Sequence, residues 1–489
     1  MSAYLNNGLM SVKKELTSGV MYTAIAKYSG MAIQLVITAI LARILAPEDY
    51  GIIAIAYVFI NFFNILSDIG IGPAIIQNKT LNDNDLKNIF SFTVYMGLIL
   101  SCVFFFCSWP IAHYYNKDIL LPVCQSLCIL ILSNCILIVP LNLLYKEKQF
   151  KLISFTTLLI QTTTGIISII AAYNGLGIYS LVLSYLLSSI LLAIFYLYKK
   201  RMTFKLIPGI ESLKKIFSFS SYQFLFNIIN YFGRNVDKML IGRMAGLQAL
   251  GYYEKSYRLM LLPLQNITFV ITPVMLPVFS SLQDSIKEMT DKYMKVLKLM
   301  SYIGFPLSII LFFCGRELIL LFFGDQWEEA VDPFQILSLT VGMQILTSST
   351  GSIFQATNNT KKMFMAGCCG TFFMITSFVT TLSLWGTITA VATGYLMAQI
   401  ANTVQCFYLI LRSLDYSIRA YVRSLLKPLL VTCVVGLGLA ITTYFLQTDY
   451  LLVSLIVKGG IGVIIALVMT QLTGDYDIIS IAKSEVLKR

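Results

Sequence analysis

The sequence predicts an all-α integral membrane protein with about fourteen transmembrane helices, in two pseudo-symmetric six-helix lobes plus two C-terminal helices. Hydrophobic residues make up 57% of the 489 residues and charged residues only 12%, which gives more apolar surface than one soluble core buries. Apolar stretches of about 20 residues, enough to cross a bilayer as a helix, recur along the chain. The chain also resembles itself at an offset of 200 residues, which predicts two related halves.

Polar residues separate the apolar stretches and limit the predicted helices. The first six helices form the predicted N-terminal lobe, residues 1–200, and the next six form the C-terminal lobe, residues 201–411. Residues 412–489 hold the last helix pair and a tail. The predicted spans are residues 16–41, 50–68, 88–112, 119–140, 152–173, 176–198, 216–245, 250–279, 295–323, 331–356, 362–384, 387–411, 425–446 and 450–472.

The basic residues orient these helices. Most of the 36 Lys and Arg residues fall in alternate connections and in the two tails, whereas Arg43, Lys117 and Arg316 fall on the other side together with several acids. Loops rich in Lys and Arg stay in the cytoplasm. We therefore expect both termini to be cytoplasmic.

Composition and motifs exclude several classes of protein. The polar segments are too short to form a soluble catalytic domain, and the net charge of +12 is split into short clusters, so we expect no nucleic-acid partner. The ten cysteines lie within apolar spans and the chain has one histidine, so we expect neither a metal site nor a cofactor. The sequence has no P-loop, which argues against direct use of ATP.

Polar side chains form a stripe on the seventh predicted helix and recur 200 residues earlier on the first. The residues of the stripe are Gln223, Asn227, Asn230, Arg234 and Lys238, and their counterparts are Thr23, Lys27, Gly30, Gln34 and Thr38. We expect both stripes to face one central cavity that opens to each side in turn. Hydrogen bonding between neighbouring helices is the alternative role for these side chains.

The charges of predicted helices 1, 2, 7 and 8 give this cavity a positive balance. The candidate substrate-binding residues are Lys27, Arg43, Arg234, Lys238, Arg243 and Arg258. Polar residues that could line the cavity or couple transport to ions are Gln34, Asp68, Asn227, Asn230, Asp237 and Glu254. Spacing along each helix predicts that Asp237 pairs with Arg234 and Glu254 with Arg258, which leaves the other cations available.

An electropositive cavity attracts anions, and Arg and Lys both bind phosphate. The sequence therefore predicts a phosphate-bearing substrate. Tyrosines near the cations, including Tyr253 and Tyr257, either stack on sugar rings or belong to an interfacial belt. Lys458 stands alone in the last predicted helix, where it would reach a lipid headgroup or the membrane surface.

Three segments resemble polysaccharide flippases of the multidrug, oligosaccharidyl-lipid and polysaccharide exporter superfamily. They are LARILAPEDYG at Leu41 to Gly51, DIGIGPAIIQ at Asp68 to Gln77, and RNVDKMLIGRMAGLQALGYYEKSYRLMLLPL at Arg234 to Leu264. A fourth segment, FQATNNTKK at Phe354 to Lys362, resembles the family's turn between helices 10 and 11. Here Asn358 and Asn359 stand where Gly is usual.

This resemblance implies a flippase, and not an enzyme, that moves undecaprenyl-pyrophosphate-linked oligosaccharide from the cytoplasmic to the periplasmic leaflet of a bacterial inner membrane. It implies membrane lipids as further partners, and a polysaccharide polymerase or glycosyltransferases of the same lipopolysaccharide or exopolysaccharide pathway. The residues implied to contact or gate the pyrophosphate or acidic sugars are Lys27, Arg43, Arg234, Asp237, Lys238 and Arg258.

Two other functions remain as alternatives. A cation-coupled multidrug exporter shares the predicted architecture but needs acids in the first lobe, where the first helix offers Lys27 and no acid. A membrane-bound polymerase or glycosyltransferase would be expected to have a large outside loop with catalytic carboxylates. The richest outside loop, GDQWEEAVDP at residues 324–333, is short and is better explained as solvated.

Overall fold

The computed structural model describes residues 27–67, 70–214, 221–446, 448–477 and 480, and its regular elements in these ranges are all helices. The first unit contains α1 (Lys27–Ile44), α2 (Pro47–Ser67), α3 (Ile71–Gln77), α4 (Asp83–Tyr115), α5 (Leu120–Lys146), α6 (Phe150–Tyr173), α7 (Tyr179–Lys199) and α8 (Ile210–Lys214). Helix α9 (Ser221–Met244) follows. The second unit continues with α10 (Leu247–Ser280), α11 (Ile286–Phe313), α12 (Gly315–Phe323), a 3₁₀ helix (Asp325–Ala330), α13 (Val331–Ser338), α14 (Val341–Ser348), α15 (Thr350–Ala356), α16 (Thr360–Trp385), α17 (Ile388–Ser413), α18 (Ile418–Phe445) and α19 (Leu451–Leu472).

Within the described ranges, eleven helices are long and apolar enough to cross a membrane. This confirms an all-helical, multi-pass membrane protein. The predicted spans at residues 216–245, 331–356 and 387–411 are not among the eleven. Polar residues make α9 and α17 less apolar, and residues 331–356 are divided among three short helices. The count of fourteen spans stays a prediction.

Two predicted continuous helices are wrong in detail. The span at residues 295–323 breaks at Cys314, and the Gln335 side chain donates a hydrogen bond of 3.1 Å to the Phe312 carbonyl next to the break. The span at residues 331–356 breaks twice, and Thr340 donates at 2.6 Å to the Leu337 carbonyl. Side chains replace missing helical bonds here. An apolar run does not reveal such breaks, because the side chain that compensates can lie far away in sequence.

The chain divides into two compact units between Asn235 and Val236. The ends of two helix pairs agree with the sequence repeat: α1 ends at Ile44 and α2 begins at Pro47, while α9 ends at Met244 and α10 begins at Leu247. Both junctions are therefore offset by 200 residues. The predicted domain limits at residues 200 and 411 stay predictions.

In the first unit, α3 and the start of α4 pack on α5. Their core consists of Ile71, Ile75, Ile89, Phe90 and Val139. Asn82 and Asp85 form a reciprocal capping box at the start of α4. Their side chains accept hydrogen bonds from backbone N–H groups that have no carbonyl partner within the helix. Ser212 of α8 donates a hydrogen bond of 2.7 Å to Asp85, so α8 is fastened to that helix end.

In the second unit, α18 and α19 pack against α11 around Tyr302, Val431, Val435 and Leu439. Just beyond α19, Asp475 pairs with Lys298 at 2.8 Å and with Lys427 at 3.0 Å, and the Tyr302 hydroxyl donates to it at 2.7 Å. Burial alone would raise the pKa of Asp475, but the hydrogen bonds from Lys298, Tyr302 and Lys427 lower this pKa to about 2. The carboxylate thus stays charged and joins the end of α19 to α11 and α18.

The turn before α16 explains the unusual asparagines. Asn358 has a φ of 54°, in the left-handed region where Gly is common and Asn is the best-tolerated alternative. The Asn359 amide donates to the Phe354 carbonyl at 2.8 Å, which closes the turn. The replacement of Gly by Asn is therefore compatible with the same backbone.

Helices α11 and α14 approach closely at two glycines. A Cβ atom on Gly342 would lie 2.9 Å from the backbone carbonyl atoms of Gly304, and the Gly342 amide donates to Ser308 at 2.7 Å. Small residues allow such contact between membrane helices. The G342A variant should lose about 1 to 3 kcal/mol of stability, since backbone has to move to admit the methyl group.

Thermal unfolding in detergent measures this loss. The G351A variant is the control, because a Cβ on Gly351 meets nothing within 4 Å. Equal melting temperatures for G342A and the wild type would contradict the close approach of α11 and α14.

Candidate functional site

Glu254 is the centre of a buried ionic cluster on α9 and α10. Its carboxylate lies 2.8 Å from the Lys238 ammonium and 2.8 Å from the Arg258 Nε. The side chains of Glu254 and Lys238 are 8% and 16% exposed, whereas that of Arg258 is 60% exposed. A buried carboxylate costs several kcal/mol unless it is paired. One anion therefore holds a covered cation and an accessible one.

A second acid lies beside this pair. Asp237 is buried and accepts a hydrogen bond of 3.2 Å from the Tyr253 hydroxyl and one of 2.8 Å from the Lys238 backbone amide. Tyr253 stacks on Tyr257 at a centroid distance of 6.1 Å, and the Lys238 ammonium lies 5.8 Å from the Tyr257 ring centroid. Asp237, Lys238, Tyr253, Glu254, Tyr257 and Arg258 are called the Glu254 cluster below.

Aromatic contacts continue from the cluster to α16 and α17. The Tyr257 ring meets that of Tyr395 edge to face at 5.9 Å, and Tyr395 stacks on Phe378 at 6.2 Å. These contacts fix the wall of tyrosines beside the Lys238 ammonium. Their rings present flat surfaces next to charged groups.

Lys255 points to a different environment from its neighbour Glu254. It is buried, and its ammonium lies 5.2 Å from the Phe323 ring centroid and 5.6 Å from the Trp327 ring centroid. Cations are stabilised over aromatic faces at such distances. Lys255 therefore connects α10 to the segment that contains α12 and the 3₁₀ helix.

The corresponding helix pair of the first unit has uncharged residues at the positions that match Asp237, Lys238 and Glu254. At an offset of 200 residues, Asp237 and Lys238 correspond to Ile37 and Thr38, while Glu254 corresponds to Ala54. Ile37 and Ala54 are buried like their charged counterparts. Because apolar residues serve the same helix pair in α1 and α2, the fold itself does not require charges here. The Glu254 cluster is thus a candidate for function.

The structure describes the other predicted site residues only in part. Lys27 is partly exposed, and Gln34, Arg43 and Arg243 are exposed, with the two arginines in the last turns of α1 and α9. Asp68 lies outside the described residues, and so do the side chains of Asn227, Asn230 and Arg234. These residues stay predictions.

The predicted availability of Lys238 is wrong. The expected pair of Glu254 with Arg258 is present, but the same carboxylate also holds Lys238 of α9. Sequence spacing identifies partners within one helix. The junction of α9 and α10 brings together residues 16 positions apart, which that spacing does not capture.

The prediction that Lys458 stands alone is also wrong. Its side chain is 9% exposed and pairs with Glu317 of α12, whose side chain is 6% exposed. Glu317 was missed because it lies in a segment predicted as one continuous span. An acid within an apolar span was the available signal.

Among the described residues, no group of three or more His, Cys, Asp or Glu side chains is arranged to hold a metal ion. Glu254 and Asp237 instead have basic or hydroxyl partners. The chemistry of the cluster is therefore that of ion pairing and hydrogen bonding.

Comparison with known proteins shows which family this chain matches. A family model described as polysaccharide biosynthesis protein matches residues 40–332. The teichuronic acid biosynthesis protein TuaB of Bacillus subtilis is 24% identical, over 92% of this chain and 95% of that protein. The lipopolysaccharide biosynthesis protein WzxC of Escherichia coli is 25% identical, over 88% of this chain and 89% of that protein.

Solved structures show the same fold at low identity. The lipid II flippase MurJ in an inward closed conformation matches with a TM-score of 0.74 and 17% identity, over 93% of this chain and 98% of that one. An inward-facing multidrug resistance MATE transporter of the MOP superfamily matches with a TM-score of 0.63 and 14% identity, over 78% of this chain and 94% of that one. The resemblance stated from Leu41 to Gly51 and from Arg234 to Leu264 is thereby confirmed. Since the family model covers more than half of the sequence, the chain belongs to the polysaccharide biosynthesis protein family.

Proposed function

We propose that this protein is a flippase that moves an undecaprenyl-pyrophosphate-linked oligosaccharide from the cytoplasmic to the periplasmic leaflet. The proposal includes fourteen spans, cytoplasmic termini, alternating access and location in a bacterial inner membrane. The observation that carries it is the Glu254 cluster, which places paired cations and tyrosine rings together in a chain of this family.

The shared carboxylate gives the cluster a means of exchanging partners. Glu254 holds Arg258, whose side chain is 60% exposed. A guanidinium binds phosphate through two parallel N–H···O hydrogen bonds, which is more favourable than the contact of a lone ammonium. A pyrophosphate that binds Arg258 competes with Glu254 for it. Lys238 lies 2.8 Å from Glu254, so the carboxylate still has a cationic partner when Arg258 turns to the pyrophosphate.

The tyrosines supply a surface for the sugars. Tyr257 is partly exposed and lies beside the Lys238 ammonium. Aromatic rings with a hydroxyl stack on apolar sugar faces and hydrogen-bond to sugar hydroxyls. Charge and ring surface next to each other suit a cargo that joins a pyrophosphate to an oligosaccharide.

Transport by purified protein tests the role of Arg258. In proteoliposomes that contain a lipid-linked oligosaccharide, the R258Q variant should need about 10 to 100 times more cargo for half-maximal transfer, since a charge-assisted hydrogen bond contributes about 1.5 to 3 kcal/mol. Transfer is scored by a sugar-cleaving enzyme that reaches only one leaflet.

The K292Q variant is the matched control. Lys292 pairs with Glu288 four residues earlier at 2.8 Å, as Arg258 pairs with Glu254, but both partners are about half exposed. K292Q should transfer cargo like the wild type. Wild-type transfer by R258Q would contradict the proposal, and so would the absence of any transfer by the wild-type protein.

A second pair of variants separates stability from function. E254Q removes the carboxylate that lies 2.8 Å from the covered Lys238 ammonium and should cost about 3 to 5 kcal/mol in thermal unfolding. The double variant K238M/E254M replaces the pair by apolar side chains of similar volume and should regain most of this stability. Its transfer of cargo should nevertheless be lost. A stable double variant with full transfer would contradict a role of the Lys238–Glu254 pair in transport.

A further inference from the structure

A polar cavity lies in the second unit, and no member of the Glu254 cluster lines it. Its volume is about 710 Å³, and its wall comes from the ends of α11 and α18, from α12 and α13, and from the start of α19. Phe312 and Phe313 supply an apolar side, while Gln335 and Ser454 supply polar groups. Cavities of roughly 300 to 1,000 Å³ are the size that holds small ligands.

The charges that line the cavity balance each other. Arg316 and Lys458 are positive, and Glu317 and Asp449 are negative. Arg316 also lies 3.1 Å from Glu328, but both side chains are more than half exposed, so this ion pair is weak. Arg316 and Asp449 are exposed at the rim, whereas Glu317 and Lys458 are buried. A ligand that carries one positive and one negative group matches this arrangement better than a simple anion or cation.

The buried pair is incompletely satisfied. The Glu317 Oε1 atom accepts from Lys458 and, at 2.6 Å, from Ser454. The Glu317 Oε2 atom is buried and has no hydrogen-bond partner among the described residues. An unpaired carboxylate oxygen in a buried site is costly. The buried pair thus fixes one charge of each sign in the cavity wall, while the exposed Asp449 is the carboxylate open to a ligand with N–H donors.

Aromatic side chains indicate the level of this cavity in the membrane. Tyr444 and Phe445 end α18, Tyr450 precedes α19, and all three are exposed. Tyr and Trp concentrate at the boundary between hydrocarbon and headgroups. The cavity opens beside these residues, at the level where lipid headgroups lie.

We propose that this cavity binds the headgroup of a zwitterionic phospholipid with a primary ammonium, of the phosphatidylethanolamine type. The ammonium donates to the exposed Asp449 carboxylate, and the phosphate diester lies against Arg316 and Lys458. A choline headgroup has no N–H donor for Asp449, and a glycerol headgroup has no positive charge. The site thus distinguishes ethanolamine from both.

Lipid titration of delipidated protein tests this proposal without measuring transport, so its outcome is separate from that of the proposed function. Phosphatidylethanolamine, phosphatidylcholine and phosphatidylglycerol with identical acyl chains are added in micelles, and bound lipid is counted by native mass spectrometry. The wild type should bind the ethanolamine lipid most tightly. D449N should weaken its binding about tenfold or more, as expected for a lost hydrogen bond to a charged group. E317Q should weaken binding as well, because it removes a negative charge from the cavity wall.

The E317Q and D449N variants differ in how much they disturb the fold. E317Q alters a buried pair, whereas Asp449 is an exposed rim residue, so D449N keeps the fold if E317Q does not. E329Q is the control, since Glu329 is exposed in the second unit and does not line the cavity. Equal binding of the three lipids by the wild type would overturn the proposal. So would an ethanolamine preference that persists in D449N, or one that E329Q abolishes as well.

Discussion

The pairing of one buried carboxylate with two cations is the interaction on which this account depends. Glu254 cannot be left alone in a covered site, and either Lys238 or Arg258 is enough to keep it paired. This arrangement gives the carboxylate two partners, one covered and one exposed. It leaves the more exposed partner, Arg258, able to exchange Glu254 for another anion while the covered pair persists.

The two copies of the internal repeat differ at the positions of this interaction. Helix α1 ends 200 positions before α9 ends, and α2 begins 200 positions before α10 begins. Even so, Ile37, Thr38 and Ala54 stand where the second copy has Asp237, Lys238 and Glu254. Duplicated helix pairs thus share their geometry and differ in charge. The second copy keeps polar groups that the first copy shows to be unnecessary for packing.

The same physical rule governs the last helix pair. Asp475, just beyond α19, pairs with Lys298 of α11 and Lys427 of α18. Lys458, in the first half of α19, pairs with Glu317 of α12. Ionised groups near apolar helices need partners, and here the partners come from separate helices. These ion pairs hold α19 within the second unit and shape the cavity beside Glu317.

The sequence predicted the features that depend on local patterns. Apolar stretches predicted the membrane helices, and the matched Arg43 and Arg243 predicted the repeat, whose helix ends agree. It also predicted the bond between Glu254 and Arg258, which spans one helical turn. The sequence did not predict two contacts between helices, Lys238 with Glu254 and Lys458 with Glu317. It also did not predict the helix breaks at Cys314 and Thr340.

The most direct measurement of the central claim is a cycle of binding affinities. Wild-type and R258Q proteins are compared for a lipid-linked oligosaccharide that carries a pyrophosphate and for the same glycolipid with a neutral linkage. The account predicts that R258Q weakens binding of the pyrophosphate cargo and leaves binding of the neutral one nearly unchanged, because Arg258 acts through the anion. Equal weakening of both cargoes would contradict it.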